Sequence, residues 1–181
     1  MLVPMKLILD HARKNKYGVG AYNVNNMEQI QAIVAAASET KSPVIIQASR
    51  GALKYTNFVY IKHLMLAAVE ENPKIPVAMH LDHGDKLKTA KKAISLGFTS
   101  VMIDGSLMED HKTPRKFESN VKLTKKVVDY AHKKGVSVEG ELGTIGGAEE
   151  DVAAREIILA DPEQAKEFVE KTGVDALAIA I

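Results

Sequence analysis

The sequence predicts a parallel α/β domain in which strands and helices alternate along the chain. Short β-branched apolar runs such as Val44-Ile45-Ile46 recur between longer stretches of helical period, as βα units require and a sandwich or bundle does not. Gly97, Gly135 and Gly173 fall at regular intervals where a helical stretch gives way to a strand, the place where a residue with positive φ is wanted.

A short helix near Met5–Lys16 precedes the first strand, Gly18–Val24. Helix Met27–Thr40 follows, with Asn26 and Gln29 in N-cap and N3 identities and Ile30, Ile33, Val34 and Ala37 as its apolar stripe. Strand Pro43–Ser49 leads to helix Phe58–Glu71, and strand Pro76–Asp82 to helix Lys86–Leu96, whose Ala90, Ala93 and Ile94 form a second stripe. Strand Phe98–Asp104 precedes helix Pro114–Lys134, and strand Val136–Leu142 precedes helix Pro162–Thr172; each proline suits a first helical turn, and Asp161 with Gln164 repeats the capping pattern. The last strand is Val174–Ile181. Its Leu177–Ile181 run, like residues 44–46, is expected to be buried on both faces of a parallel sheet.

Six units are too few to close a (β/α)8 barrel, and a doubly wound open sheet is the alternative. The first βα turn weighs against that alternative, since Ala21-Tyr-Asn-Val-Asn-Asn26 has none of the glycines of a dinucleotide-binding turn. The expected fold is therefore one domain over residues 1–181, an incomplete barrel of about six βα units that stops at the end of strand six, with its C-terminal part missing.

Bulk properties narrow the function. The 181 residues are 46% hydrophobic and 26% charged, and 24 basic against 23 acidic side chains give a net charge of +1. Such a balance offers no field for nucleic acid or anionic lipid and favours a small, locally recognised substrate. Lys86, Lys88, Lys91 and Lys92 read as a solvated helix face. Without Cys there is no disulfide, thiol nucleophile or thiolate site, so His, Asp and Glu are the available metal ligands. No signal-like leader and no apolar run of membrane-spanning length is present, which sets the expectation of a cytoplasmic protein with no membrane partner.

In parallel α/β folds ligands bind at the carboxyl ends of the strands, and here those ends are polar. They are Asn23, Ser49, Asp82-His83, Asp104, and Glu139 with Glu141. Carboxylates inside such strands must be paired, protonated or metal-bound. Strand alternation puts His80 and Asp82 on one face and starts the loop at His83. His83, with Gly84 permitting a tight turn, is the better ligand candidate; Asp82 beside it is free to serve as acid or base, and His80 reads as structural. The stretch from Glu139 through Gly143, Gly146, Gly147, Glu149, Glu150 and Asp151 is a long, glycine-rich acidic loop of the kind that closes over substrates.

Several stretches together resemble the class II fructose-bisphosphate and tagatose-bisphosphate aldolases. They are Gly18-Val-Gly-Ala-Tyr-Asn-Val-Asn-Asn26, Gln47-Ala-Ser49, Val77-Ala-Met-His-Leu-Asp-His-Gly84, Gly97-Phe-Thr-Ser-Val-Met-Ile-Asp-Gly105, Glu139-Gly-Glu-Leu-Gly143 and Val174-Asp-Ala-Leu-Ala-Ile-Ala-Ile181. The resemblance implies a zinc-dependent TIM barrel that reversibly cleaves fructose 1,6-bisphosphate to dihydroxyacetone phosphate and glyceraldehyde 3-phosphate, in glycolysis and gluconeogenesis. It allows a monovalent cation in the complete enzyme; the open edges beside strands one and six set the expectation of a homo-oligomer, a complementing fragment or further downstream residues. By position, His83 resembles a zinc ligand, Asp104 and Glu141 the carboxylates near an alternative metal position, and Asp82 the acid/base at the C4 oxygen. Ser49 and Asn23 resemble substrate-binding residues, and Glu149, with Glu150 as the alternative, the loop base at C3.

The same resemblance places two further zinc histidines and the phosphate loops beyond Ile181, so a chain ending there is expected to bind zinc weakly and to have an incomplete site. Tagatose-bisphosphate cleavage, or a non-catalytic barrel fragment acting in assembly, are the alternative functions. None of the six strands contains Lys, which argues against an imine mechanism.

Overall fold

The computed structural model describes residues 1–108, 110, 112–144 and 157–181 in full, and residues 147–149 and 152–154 by backbone alone. Six parallel strands form one sheet: β1 (Ala21–Asn23), β2 (Val44–Ala48), β3 (Val77–Gly84), β4 (Ser100–Ile103), β5 (Ser137–Leu142) and, after an antiparallel hairpin of β6 (Gly147–Glu149) and β7 (Val152–Ala154), β8 (Ala176–Ile179). Neighbours in the sheet are successive in the chain, in the order β1-β2-β3-β4-β5-β8. Apart from the β6–β7 hairpin, which pairs with itself, no strand is skipped and the order does not reverse among the described residues, so the sheet is an incomplete barrel and not a doubly wound fold.

Helices α2 (Met27–Thr40), α4 (Phe58–Glu71), α5 (Leu87–Ser95), α6 (Phe117–Ala131) and α7 (Pro162–Thr172) cover the outer face. Their stripes, among them Ile30, Val34, Ile61, Met65, Ala90, Ala93, Val127 and Phe168, pack with Val44, Ile46, Val77, Met79, Leu81, Val101, Ile103 and Val138 in one buried core. The alternate strand residues face inward and are mostly small or polar. On that side α1 (Met5–Asn15) lies across the amino-terminal ends of the strands: Met5 and Ile8 pack on Ile45 and Ala78, and the Lys6 N–H donates to Ser137 Oγ at 3.0 Å. Helix α1 thus makes a floor for the half-barrel.

Most terminus signals act as the sequence predicts. Asn26 and Asp161 accept from the N–H groups of Gln29 and Gln164, Pro162 starts α7, and Gly97, Gly135 and Gly173 take φ values of 95°, 69° and 73°. Pro114 does not start a helix. It bridges Leu107 in a small antiparallel excursion, where Met108 N–H donates to Thr113 C=O and Arg115 N–H to Ser106 C=O, and α6 begins at Phe117. Helix α3 (Arg50–Thr56), capped by Ser49, occupies what the sequence left as a connection. Strand β8 departs from the expected double burial: its residues are half-buried or exposed, with Ile179 at 46%. It is an edge of the sheet and has a neighbour on one side only.

Gly140 shows how tightly the outer layer packs, because a Cβ there would lie 2.8 Å from Phe168 Cε1. Phe168 is fully buried, and its ring meets Phe117 edge-on at 6.1 Å. Truncating it empties the junction of α6, α7 and β5. Phe168→Ala is expected to cost about 3–5 kcal/mol in urea denaturation, with the slope of the transition unchanged; a loss under about 1 kcal/mol would contradict this packing.

Candidate metal centre at the carboxyl rim

Strand β3 carries an irregularity that places the site. Leu81 pairs with Val101 and Gly84 with Ile103, so three steps along β3 oppose two along β4. This is a β-bulge, and His83 absorbs it in the left-handed region at φ 46°. Without the extra residue, alternation would point Asp82 and His83 to opposite faces; with it, both reach the inner face. Glycine is required next, since a Cβ on Gly84 would sit 2.5 Å from the Met102 carbonyl oxygen.

His83 Nδ1 lies 3.3 Å from Asp104 Oδ2 at the end of β4 and 3.7 Å from Glu141 Oε2 on β5. One ligand atom from each of the three residues falls within a mutual spacing of 4.8 Å. The Asp104 carboxylate is held from behind, and Glu141 is anchored through its backbone. Asp104 Oδ1 accepts from Ser106 N–H at 3.0 Å and Ser106 Oγ–H at 2.7 Å, which leaves Oδ2 facing inward. Buried Asn120 on α6 donates through Nδ2 to the Glu141 carbonyl at 2.8 Å and accepts from Thr124 Oγ–H at 3.1 Å, tying the end of β5 to the helix. Glu141 Oε2 is buried and has no hydrogen-bond partner among the described residues.

The electrostatics report a shortage of positive charge. His83 is raised to about 9, chiefly by its hydrogen bond to Asp104, which together with the charges of Asp82, Glu141 and Asp104 outweighs the opposing effect of burial. Burial, reinforced by Asp104, pushes Glu141 up to about 8. Burial also acts to raise Asp104, but the hydrogen bonds from His83 and Ser106 prevail and hold it below the usual carboxylate range. First-row divalent ions hold imidazole N and carboxylate O at about 2.0–2.2 Å, which calls for donors roughly 3–4 Å apart. The buried Glu141 Oε2 without a hydrogen-bond partner, the 3.3 and 3.7 Å separations from His83 and the hard N/O donor set fit such an ion.

The other residues singled out from sequence are distributed around this cluster. Asp82 Oδ1 is 4.0 Å from His83 Nε2, and Asp82 Oδ2 accepts from Asn23 Nδ2 at 2.8 Å. Asn23 therefore joins the rim at β1 through Asp82. Ser49 is buried, with its hydroxyl accepting from Ala52 N–H at 3.2 Å. His80 sits deeper, fully buried, with Nδ1 2.8 Å from Ser100 Oγ and Nε2 3.3 Å from Glu139 Oε2. The acidic stretch is not a plain loop: Thr144 and Ile158 exchange backbone hydrogen bonds at its base, and β6 pairs with β7 above them. The backbone of Glu149 ends β6, while its side chain and the whole of Glu150 lie outside the described residues. Ser106, Asn120 and Gln47 also build the rim and went unread in sequence. Ser106, two residues after Asp104, was the one with a local signal, since short hydroxyl residues there commonly bond the preceding carboxylate.

Fold and site together define a class: a (β/α)-barrel protein with a histidine–carboxylate centre at the carboxyl ends of its strands. The profile described as fructose-bisphosphate aldolase class-II matches residues 3–181. The chain belongs to the class II fructose-bisphosphate aldolase family. It is 58% identical to the fructose-bisphosphate aldolase of Giardia intestinalis over 180 residues, covering 99% of this chain and 53% of that protein. With the fructose-bisphosphate aldolase of Nostoc sp. it shares 54% identity, again over 99% of this chain and 54% of the relative. Among solved structures, the YdjI aldolase of Escherichia coli K12 superposes with a TM-score of 0.85 at 35% identity, over 100% of this chain and 62% of that one. The chain thus spans about half the length of the relatives it matches in sequence.

Zinc titration by calorimetry tests the cluster directly. His83→Ala, Asp104→Asn and Glu141→Gln should each weaken binding by at least about tenfold, since even groups that only support a metal ligand cost 10–100-fold. Equal affinity in all three variants would place the metal elsewhere.

Proposed function

We propose that this chain forms the first six βα units of a class II aldolase that reversibly cleaves fructose 1,6-bisphosphate to dihydroxyacetone phosphate and glyceraldehyde 3-phosphate. The observation that carries the reading is the convergence of His83, Asp104 and Glu141 with Asp82 alongside. Family membership and the names of the relatives support the substrate. Their greater length supports a single barrel domain completed by further βα units, with more metal and phosphate contacts than these residues supply. The metal is zinc, the protein works in the cytoplasm in glycolysis and gluconeogenesis, and the complete barrel assembles as a homo-oligomer.

His83, Asp104 and Glu141 are the residues of this chain that would hold the ion. A divalent cation supplies Lewis acidity, drawing charge from the ketose oxygens as the carbon–carbon bond breaks. Asp82 takes the proton of the C4 hydroxyl as the C3–C4 bond opens and that oxygen becomes the aldehyde carbonyl; in condensation it returns the proton. The pair of electrons left on C3 is quenched by a proton carried on Glu149. Asn23 and Ser49 contribute to holding the substrate at the ends of β1 and β2.

In the full-length protein, chelation should abolish cleavage and zinc should restore it. Asp82→Asn should lower kcat by about 10²–10⁴ with zinc content unchanged. Faster cleavage of fructose 1,6-bisphosphate than of its C4 epimer, tagatose 1,6-bisphosphate, is the expected preference. Turnover that survives chelation, or trapping of substrate on the protein by borohydride, would overturn the reading.

A further inference from the structure

The inner face carries a directed chain of side chains across three neighbouring strands. Asn23 and Gln47 are register partners on β1 and β2, and Gln47 is the register partner of His80 on β3. Asp82 is two residues beyond His80 and projects to the same side, one step nearer the rim. Gln47 Nε2 donates to Asn23 Oδ1 at 2.6 Å, and Asn23 Nδ2 donates to Asp82 Oδ2 at 2.8 Å.

The direction of this chain follows from what each end can do. An ionised carboxylate only accepts, so Asn23 must present its NH2 group to Asp82 and its oxygen to β2; a glutamine can meet that oxygen with a donor, whereas an acidic side chain could not. Turning the Asn23 amide over would set its oxygen against a carboxylate oxygen and its NH2 against the NH2 of Gln47. Two hydrogen bonds would become two repulsions. Gln47 therefore locks the orientation in which Asn23 grips one oxygen of Asp82.

We propose that Gln47 is a positioning residue for the aldol reaction: acting through Asn23, it holds Asp82 Oδ2 and leaves Oδ1, on the His83 side, as the oxygen that exchanges the proton with substrate. The inference rests on the role given to Asp82 under the proposed function. Gln47 acts on Asp82 through Asn23, so its influence falls chiefly on kcat, with a smaller change in KM through the part Asn23 takes in holding the substrate.

The test is a double-mutant cycle in the full-length, zinc-loaded protein, with zinc content and thermal unfolding measured for each variant. Gln47→Leu should lower kcat by about tenfold, the worth of one well-placed hydrogen bond, with a smaller effect on KM. Gln47→Glu keeps the shape and polarity of the side chain, serves where the leucine variant does not fold, and should lower kcat further because an acceptor would then face the Asn23 oxygen. In an Asn23→Ala background, Gln47→Leu should cause no additional loss in kcat. Losses that multiply in the double variant, a rise in KM at constant kcat, or wild-type kcat in both Gln47 variants would overturn the relay while leaving the aldolase reading intact. A wild-type protein without zinc-dependent cleavage would overturn both.

Discussion

Between Leu81 and Gly84 the third strand is one residue longer than the strand opposite it, and the rest of the rim is arranged around that mismatch. In a regular strand, successive side chains alternate between helix layer and interior, so Asp82 and His83 would be split across the sheet. The bulge turns both inward at the expense of a left-handed histidine, a conformation that L-residues with a Cβ adopt at a cost of about 1–2 kcal/mol. Neighbouring structure holds it there. Gly84 lets the Met102 carbonyl approach, Gly84 C=O accepts from Asp104 N–H at 2.9 Å, and the latter bond delivers Asp104 to the imidazole. One local irregularity therefore fixes the relative positions of Asp82, His83 and Asp104.

Glu141 arrives by a different route. Its strand is regular, and its position depends on Asn120, an α6 side chain buried for the sake of one backbone carbonyl. Helix α6 belongs to the outer layer, so the helical shell and the interior site are coupled through that amide. The hydrogen bond to Asp104 leads the rise in proton affinity of His83, while burial, with Asp104 adding to it, raises that of Glu141.

The alternation of elements was legible because each helix stripe and each strand run has its own period, and because Gly97, Gly135 and Gly173 mark stops that few other residues tolerate. The rim residues were legible for a related reason: Asp104 and Glu141 are charges at the ends of apolar strands, where a purely structural sequence would not place them. What could not be read depends on contacts between distant segments. Alternation assigned His83 to the loop, because a bulge is defined by the partner strand and leaves no mark in its own. Pro114 has the chemistry of a helix start and also that of an extended turn, and its bridge to Leu107 selected the second. The tie from Asn120 to Glu141 joins residues on different elements, as does the grip of Asn23 on Asp82; a lone Asn carries no hint of either. The β6–β7 hairpin is likewise built from a glycine-rich stretch with weak intrinsic preference for strand.

Helix α1 gives the interior a floor, with Met5 and Ile8 sealed against Ile45 and Ala78. A vessel with a bottom is filled and emptied through its mouth, so whatever part of a guest lies deepest is first in and last out. With α1 across the amino-terminal ends, the carboxyl ends of these six strands are the face from which His83, Asp104 and Glu141 meet whatever enters.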